Sequence, residues 1–229
     1  MSPSSLRLIL LCLPLLSLLT APQAQAEPSA PIEPPARSAA TTPAKLTPTD
    51  QADIARVETY LNNLKSIAAD FMQIDDAGGV MRGKISIQRP GKMRVVYEAP
   101  NKDFIVADGG MVHIWNDDLK SQTNVDQSGS LAEFILRDPI KLEGEVTVTK
   151  FQRYPAKLEL TLVQANDPAA GQLTLIFEDK PLQLRQWRVL DPQGSMTGVN
   201  LENAREGVSF PPGTFSFMPP NFGKGGKAQ

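Results

Sequence analysis

The 229-residue chain holds a single cysteine and a single histidine, and each scarcity excludes chemistry. Cys12 lies inside an apolar run near the start, so the rest of the chain must fold without disulfides. A zinc site built from the usual His and Cys ligands has no residues to draw on. A serine triad would need His113 as its base, yet His113 stands mid-strand between Val112 and Ile114, and no G-x-S-x-G is present. A partly buried structural role suits it better than catalysis. No P-loop occurs, since the glycines of "FGKGGKAQ" belong to a terminal tail. Asp75-Asp76 and Asp117-Asp118 are adjacent carboxylates that could serve acid/base work or glycoside cleavage. Both pairs sit at strand ends, where aspartate commonly satisfies turn amides. The sequence does not read as that of an enzyme, and it implies no cofactor or metal.

An excess of one charge is also missing. The formal net charge is −2, which offers no electrostatic footprint for nucleic acid or an anionic membrane. One strongly apolar run exists, Leu8 to Leu19, behind Arg7 and ahead of Ala24-Gln25-Ala26. That is the layout of a secretory signal peptide, and the run is too short to span a bilayer. Residues 1–26 are therefore expected to be a cleaved leader of an exported, soluble protein. Cys12 lies within the apolar core of that leader, away from the cleavage point, so it is not a lipid-accepting cysteine. Residues 27–48 carry six prolines and five alanines, and this composition reads as a disordered linker. Residues 221–229 read as a flexible tail, leaving 49–220 as one domain.

What is present begins with a helix. Thr47 is the expected N-cap, with Pro48 in the first helical position and Asp50 three residues after the cap. Apolar residues then fall at Ile54, Val57, Leu61, Leu64, Ala68 and Phe71, one face of a helix giving way to a strand near Phe71. After that the period becomes two. Met81, Gly83, Ile85 and Ile87 share one face against Arg82, Lys84, Ser86 and Gln88, and Met93, Val95 and Tyr97 oppose Lys92, Arg94 and Glu98. "FIVAD" and "MVHIW" follow around a turn at Asp108-Gly109-Gly110. "KLELTLVQ", "QLTLIFED", "LQLRQWRVL", "SMTGVNLENA" and "TFSFMP" bring the count to ten or eleven strands. One short helix interrupts them: "SLAEFILRDP", with a Ser130–Glu133 capping box and Leu131, Phe134 and Ile135 on one side.

Arg89 continues the apolar phase of Met81, Gly83, Ile85 and Ile87, and Pro90 keeps it extended. Pro90-Gly91 suits the centre of a type II turn. The alternation thus puts a guanidinium at the rim of an apolar surface. It could bend into water with its stem covering apolar neighbours. It could instead offer its five-donor fork to the backbone carbonyls of a covering segment, for which the helix at Leu131 to Leu136 is the natural candidate. An apolar sheet face must curl or stack to hide itself. The fold class is mainly β: a second sheet would make a sandwich and a closed barrel would remove all edges, while two helices are available here as lids on an incomplete barrel.

From about Ala52 to Pro220 the chain resembles the periplasmic outer-membrane lipoprotein carrier family, LolA. The resemblance is carried by "FMQ" at Phe71 to Gln73, by "GGVMRGKISIQRPGKMRVVYEAP", by "FIVADGGMVHIWNDDLKSQT" and by the closing "FSFMPP". It implies an unclosed, strongly curved antiparallel barrel of about eleven strands with a helical lid over a hydrophobic cavity, in a monomeric periplasmic carrier whose cavity receives the acyl chains of lipoproteins. Loading would come from an inner-membrane ABC-type release complex and delivery would go to an outer-membrane receptor lipoprotein. It also implies that Arg89 is the lid clamp, with Leu131, Phe134 and Ile135 on the lid. Met81, Ile85, Ile87, Met93, Val95, Tyr97, Phe104 and Trp115 would form the cavity, with the lid docking on Met93, Tyr97, Phe104 and Trp115 when empty. Departures from the family pattern lie at Val95, Val96 and Asn116, where aromatic residues are common, and they bear on cavity shape. Two other readings stay open: an exported binding protein or sensor for another lipid or glycolipid, and a non-carrier interaction scaffold.

Overall fold

The computed structural model describes residues 42–128 and 131–220. The expected leader, most of the expected linker, the tail and the Ser130 cap fall outside them. Helix α1 (Pro48–Asn63) starts as its sequence dictates: the Thr47 hydroxyl accepts from the Asp50 amide, and the Asp50 carboxylate accepts from the Thr47 amide. The helix stops earlier than its apolar spacing suggests. Leu64 is the C-cap, and strand β1 (Ser66–Asp75) has already begun, so Ala68 and Phe71 are strand residues. Order also begins ahead of the helix, because the Ala44 amide donates to the Val148 carbonyl at 2.9 Å.

Ten further strands follow: β2 (Val80–Gln88), β3 (Lys92–Tyr97), β4 (Phe104–Asp108), β5 (Met111–Asn116), β6 (Ser121–Asp126), β7 (Val146–Tyr154), β8 (Lys157–Gln164), β9 (Gln172–Asp179), β10 (Leu182–Leu190) and β11 (Met196–Glu206). The closing "TFSFMP" is not among them, since it runs as turn and coil after Glu206. The strands form one antiparallel sheet in the order β6-β5-β4-β3-β2-β1-β11-β10-β9-β8-β7. Each strand pairs with its sequence neighbour except where β1 meets β11, so two meanders are sewn together along that seam. The two edges are β6 and β7, the strands that flank the second helix, α2 (Leu131–Leu136). The barrel is therefore unclosed, and in the chain a helix, not a turn, connects its two edge strands.

Alternation decides what the sheet buries. The rows Ala69–Ile85–Val95–Ile105 and Ile67–Ile87–Met93–Ala107 run across the inner face in register, and all eight side chains are buried in the main core. The second meander adds Leu160, Leu175 and Trp187 in a matching row. From the helices come Val57 and Leu61 of α1, with its C-cap Leu64, and Phe134 and Leu136 of α2.

Candidate functional site

The inner face ends at a rim where β2 turns into β3. Gly91 takes a φ of 76°, a left-handed conformation that glycine adopts without strain, in a three-residue loop whose Arg89–Pro90 peptide is cis. Arg89 stays in phase with Ile85 and Ile87 and is 8% exposed. It does not wave in water.

Helix α2 closes the hollow below that rim. Phe134 is 4% exposed and Leu136 is fully buried, and Ile135 is half-buried against the same core. Leu131 begins the helix, but its side chain is outside the described residues. What remains of the hollow is an apolar gap of about 30 Å³, lined by Leu61, Ile85, Ile87, Arg89, Phe134 and Trp187 among others. Such a gap would hold a few waters at most, and an acyl chain could enter only if the lid moved. Phe134 fills the mouth side of that gap.

Polar bonds hold this lid from two sides. The Gly91 amide donates to the Leu136 carbonyl at 2.8 Å. Helix α1 grips the connector after α2: Asn62 exchanges two hydrogen bonds with the Ile140 backbone, at 2.9 and 2.8 Å, and Glu58 accepts from the Leu142 amide at 2.9 Å. Lys65 pairs with Asp138 at 2.8 Å, and Arg137 pairs with Glu145 while its guanidinium lies 5.4 Å from the Phe134 ring centroid.

Arg89 behaves differently from the expected clamp. Its Nη1 is buried with no hydrogen-bond partner among the described residues, and the hairpin's bond to α2 comes from the turn amide instead. Burial lowers the guanidinium's pKa, with attraction from Asp138 opposing. The group stays charged at any physiological pH. A buried, unpaired donor of this kind costs about 1–3 kcal/mol, so the closed lid carries a local penalty at the rim.

The residues expected to line the cavity divide into groups. Ile85, Ile87 and Arg89 meet Phe134 and Ile135 around the gap. Met93, Val95 and Tyr97 share the inner face, and Met81 packs against the same core at its far end. Phe104 and Trp115 do not join them. Phe104 pairs with Val96 and with Trp115, all on the outer face, and the two aromatics form a second cluster with Val106 and Phe217. There Phe217 stacks on Phe104 at 5.6 Å and on His113 at 4.9 Å, and Arg94 lies 5.3 Å from the Phe104 centroid. The lid accordingly docks on α1, β2 and the second meander, and not on Phe104 or Trp115. Sequence reasoning left out Leu61 and Leu64 of α1 and Leu175, Leu184, Trp187 and Leu201 of the second meander as lining residues. For the strand residues among them, the signal was the same two-residue alternation that marked Ile85 and Ile87.

The remaining polar candidates serve the fold. His113 hydrogen-bonds Asn124 at 2.9 Å and Asp108 at 3.0 Å. Asp75 accepts from the Ala77 and Gly79 amides, and Asp117 accepts from Trp115 and Lys120. Asn116, in place of a common aromatic, is buried and accepts from the Leu119 amide at 2.6 Å.

A family model described as outer membrane lipoprotein carrier protein LolA matches residues 62–218, more than half of the chain. The chain belongs to the LolA family. An outer-membrane lipoprotein carrier protein of Methylococcus capsulatus is 28% identical over 174 residues, covering 72% of this chain and 83% of the relative. One from Chromobacterium violaceum is 25% identical over 181 residues, covering 76% and 86%. A solved structure of a conserved protein from Thermus thermophilus aligns with a TM-score of 0.46 at 12% identity, over 76% of this chain and 96% of its own. Among the described residues, no helix of this LolA-family chain is long and apolar enough to cross a membrane.

Proposed function

We propose that the protein is a periplasmic carrier that takes up the acyl chains of lipoproteins released from the inner membrane and delivers them to the outer membrane. One observation carries this reading: Phe134, on a short helix between the two edge strands in sequence, lines and occupies the hollow that cargo would need. Each buried methylene contributes about 0.8 kcal/mol, so a sixteen-carbon chain could approach about 12 kcal/mol. Release at that strength would be very slow. A lid that competes for the hollow lowers net affinity by the packing energy that opening gives up. The unpaired Arg89 donor offsets part of that opening cost, and an ester or amide carbonyl at the head of an acyl chain would satisfy it.

Membership of the family supports this use of the hollow, and the carrier names of relatives support lipoproteins as cargo. The donor would be an ABC-type release complex of the inner membrane, and the acceptor a receptor lipoprotein of the outer membrane. The reading assigns Arg89 a role in the balance between open and closed lid, and assigns no catalytic residue.

The test follows the Gly91 amide, whose partner is the lid itself. Titration with a fluorescent fatty acid should give saturable binding, and hydrogen exchange at Gly91 should accelerate in the complex. The small gap favours a second reading, a scaffold with a permanently filled interior. A protein that binds no acyl probe and keeps Gly91 protected throughout would decide for that scaffold.

A further inference from the structure

The hollow has two ends, and they are built differently. Its mouth is a helix of six residues. Its other end is a row of the sheet itself: Leu201 pairs with Phe71, Phe71 with Gly83, and Gly83 with Tyr97. Leu201 lines the residual gap, and Phe71 and Tyr97 close the row behind it.

Three contacts lock that row. Gly83 lacks the side chain that would collide with the Phe71 ring, whose nearest atoms lie 2.7 and 2.8 Å from where a Cβ would be. Phe71 therefore packs against bare backbone. Tyr97 meets it edge-on, with centroids 5.5 Å apart at 83°. The Tyr97 hydroxyl in turn donates to the Gln73 carboxamide oxygen at 3.1 Å, and Gln73 is 2% exposed. A buried bond between two buried groups is costly to break. The lid can open by parting from a turn and a connector. This row could open only by breaking the sheet's own packing.

We infer that Phe71, seated on Gly83 and braced by Tyr97 and Gln73, is a fixed floor that sets the longest acyl chain the hollow accepts in full. The inference rests on the carrier reading above. From Gly83 at the floor to Arg89, just past the end of β2, six steps of extended chain span about 20 Å at about 3.3 Å each. A chain anchored by its head at the rim meets the ring with its tail. Methylenes beyond that length stay outside the hollow and add nothing.

The experiment is competition between a fluorescent fatty acid and a series of saturated fatty acids of increasing length. Affinity for the wild-type protein should rise about four-fold per added methylene up to a break, and then stop rising. Phe71→Ala should move the break to longer chains. Phe71→Leu should move it less, and it guards against a variant that fails to fold. Phe177→Leu truncates a fully buried side chain away from this row and should leave the break in place. If the wild type binds the acids but folded Phe71 variants keep its break, or if Phe177→Leu moves it as far, the floor is overturned and the carrier reading survives. If the wild type binds none of the acids, the carrier reading falls and the floor falls with it.

Discussion

Single residues bear on how tightly α2 packs, and Arg89 is the charged one at the rim. Its buried Nη1 has no partner among the described residues, so Arg89→Leu removes a desolvated charge and adds apolar volume beside the gap. Stability in urea should rise by about 1 kcal/mol, and exchange at the Gly91 amide should slow by roughly five-fold. Unchanged exchange in a folded variant would remove Arg89 from the opening equilibrium. Asp108 makes a pH prediction on the outer face. The Met111 and Gly110 amides, and then His113, hold its carboxyl down at about 2 from an ordinary 3.8. A depressed folded-state pKa stabilises above 3.8, and that contribution is lost as pH falls towards 2. Acid titration of Asp108→Asn should lack that part of the wild-type transition. The effect will be modest, since the side chain is 44% exposed and water screens it.

The critical element is α2. Six residues are too few for an isolated helix, so its existence depends on Phe134 and Leu136 docking and on bonds from Gly91 and Arg137. Phe134→Ala should cost the closed state about 3 kcal/mol. Calorimetry should register a lower melting temperature, while fatty-acid affinity should increase because the competing occupant is weaker. Equal affinity in the variant would mean that Phe134 and the ligand do not share a site. The α1 cap was legible in the sequence because capping is local: Thr47 and Asp50 need only each other. Where α1 ends was not legible. Ala68 and Phe71 continue the helical spacing by coincidence, and the pairing of Ile67 with Ile87 makes them strand.

For the molecule as a whole, the open seam between β6 and β7 is the decisive feature. Helix α1 ties down the β7 side of it through four charges. Asp53 pairs with Arg56 at 2.7 Å and with Arg153 of β7, and Arg56 pairs with Asp179 of β9 at 3.0 Å. Asp53 and Asp179 are buried, while both arginines are half-exposed, so the group is weaker than a fully buried network. Asp53→Asn should still destabilise by about 1–2 kcal/mol, and exchange should increase in β7 more than in β1. Uniform loosening across the sheet would mean that the quartet does not tie that edge down. A closed barrel would need no such tie, but it would also have no mouth.

Alternation, capping and turn chemistry are short-range, and the sequence alone determined what depends on them: most of the strands, two helices, the inward phase of Arg89 and the apolar face it borders. Which faces meet is a long-range matter. The six-residue loop from Glu98 to Asp103 sets how β4 registers on β3, and that register sends Phe104 and Trp115 outward to the Phe217 cluster. No local pattern encodes it. The tertiary structure likewise decided that α2 rests on the second meander, that the turn amide and not the guanidinium bonds it, and that Phe71 lies over Gly83. Those outcomes depend on residues brought together across the chain, where packing rather than periodicity selects the partner.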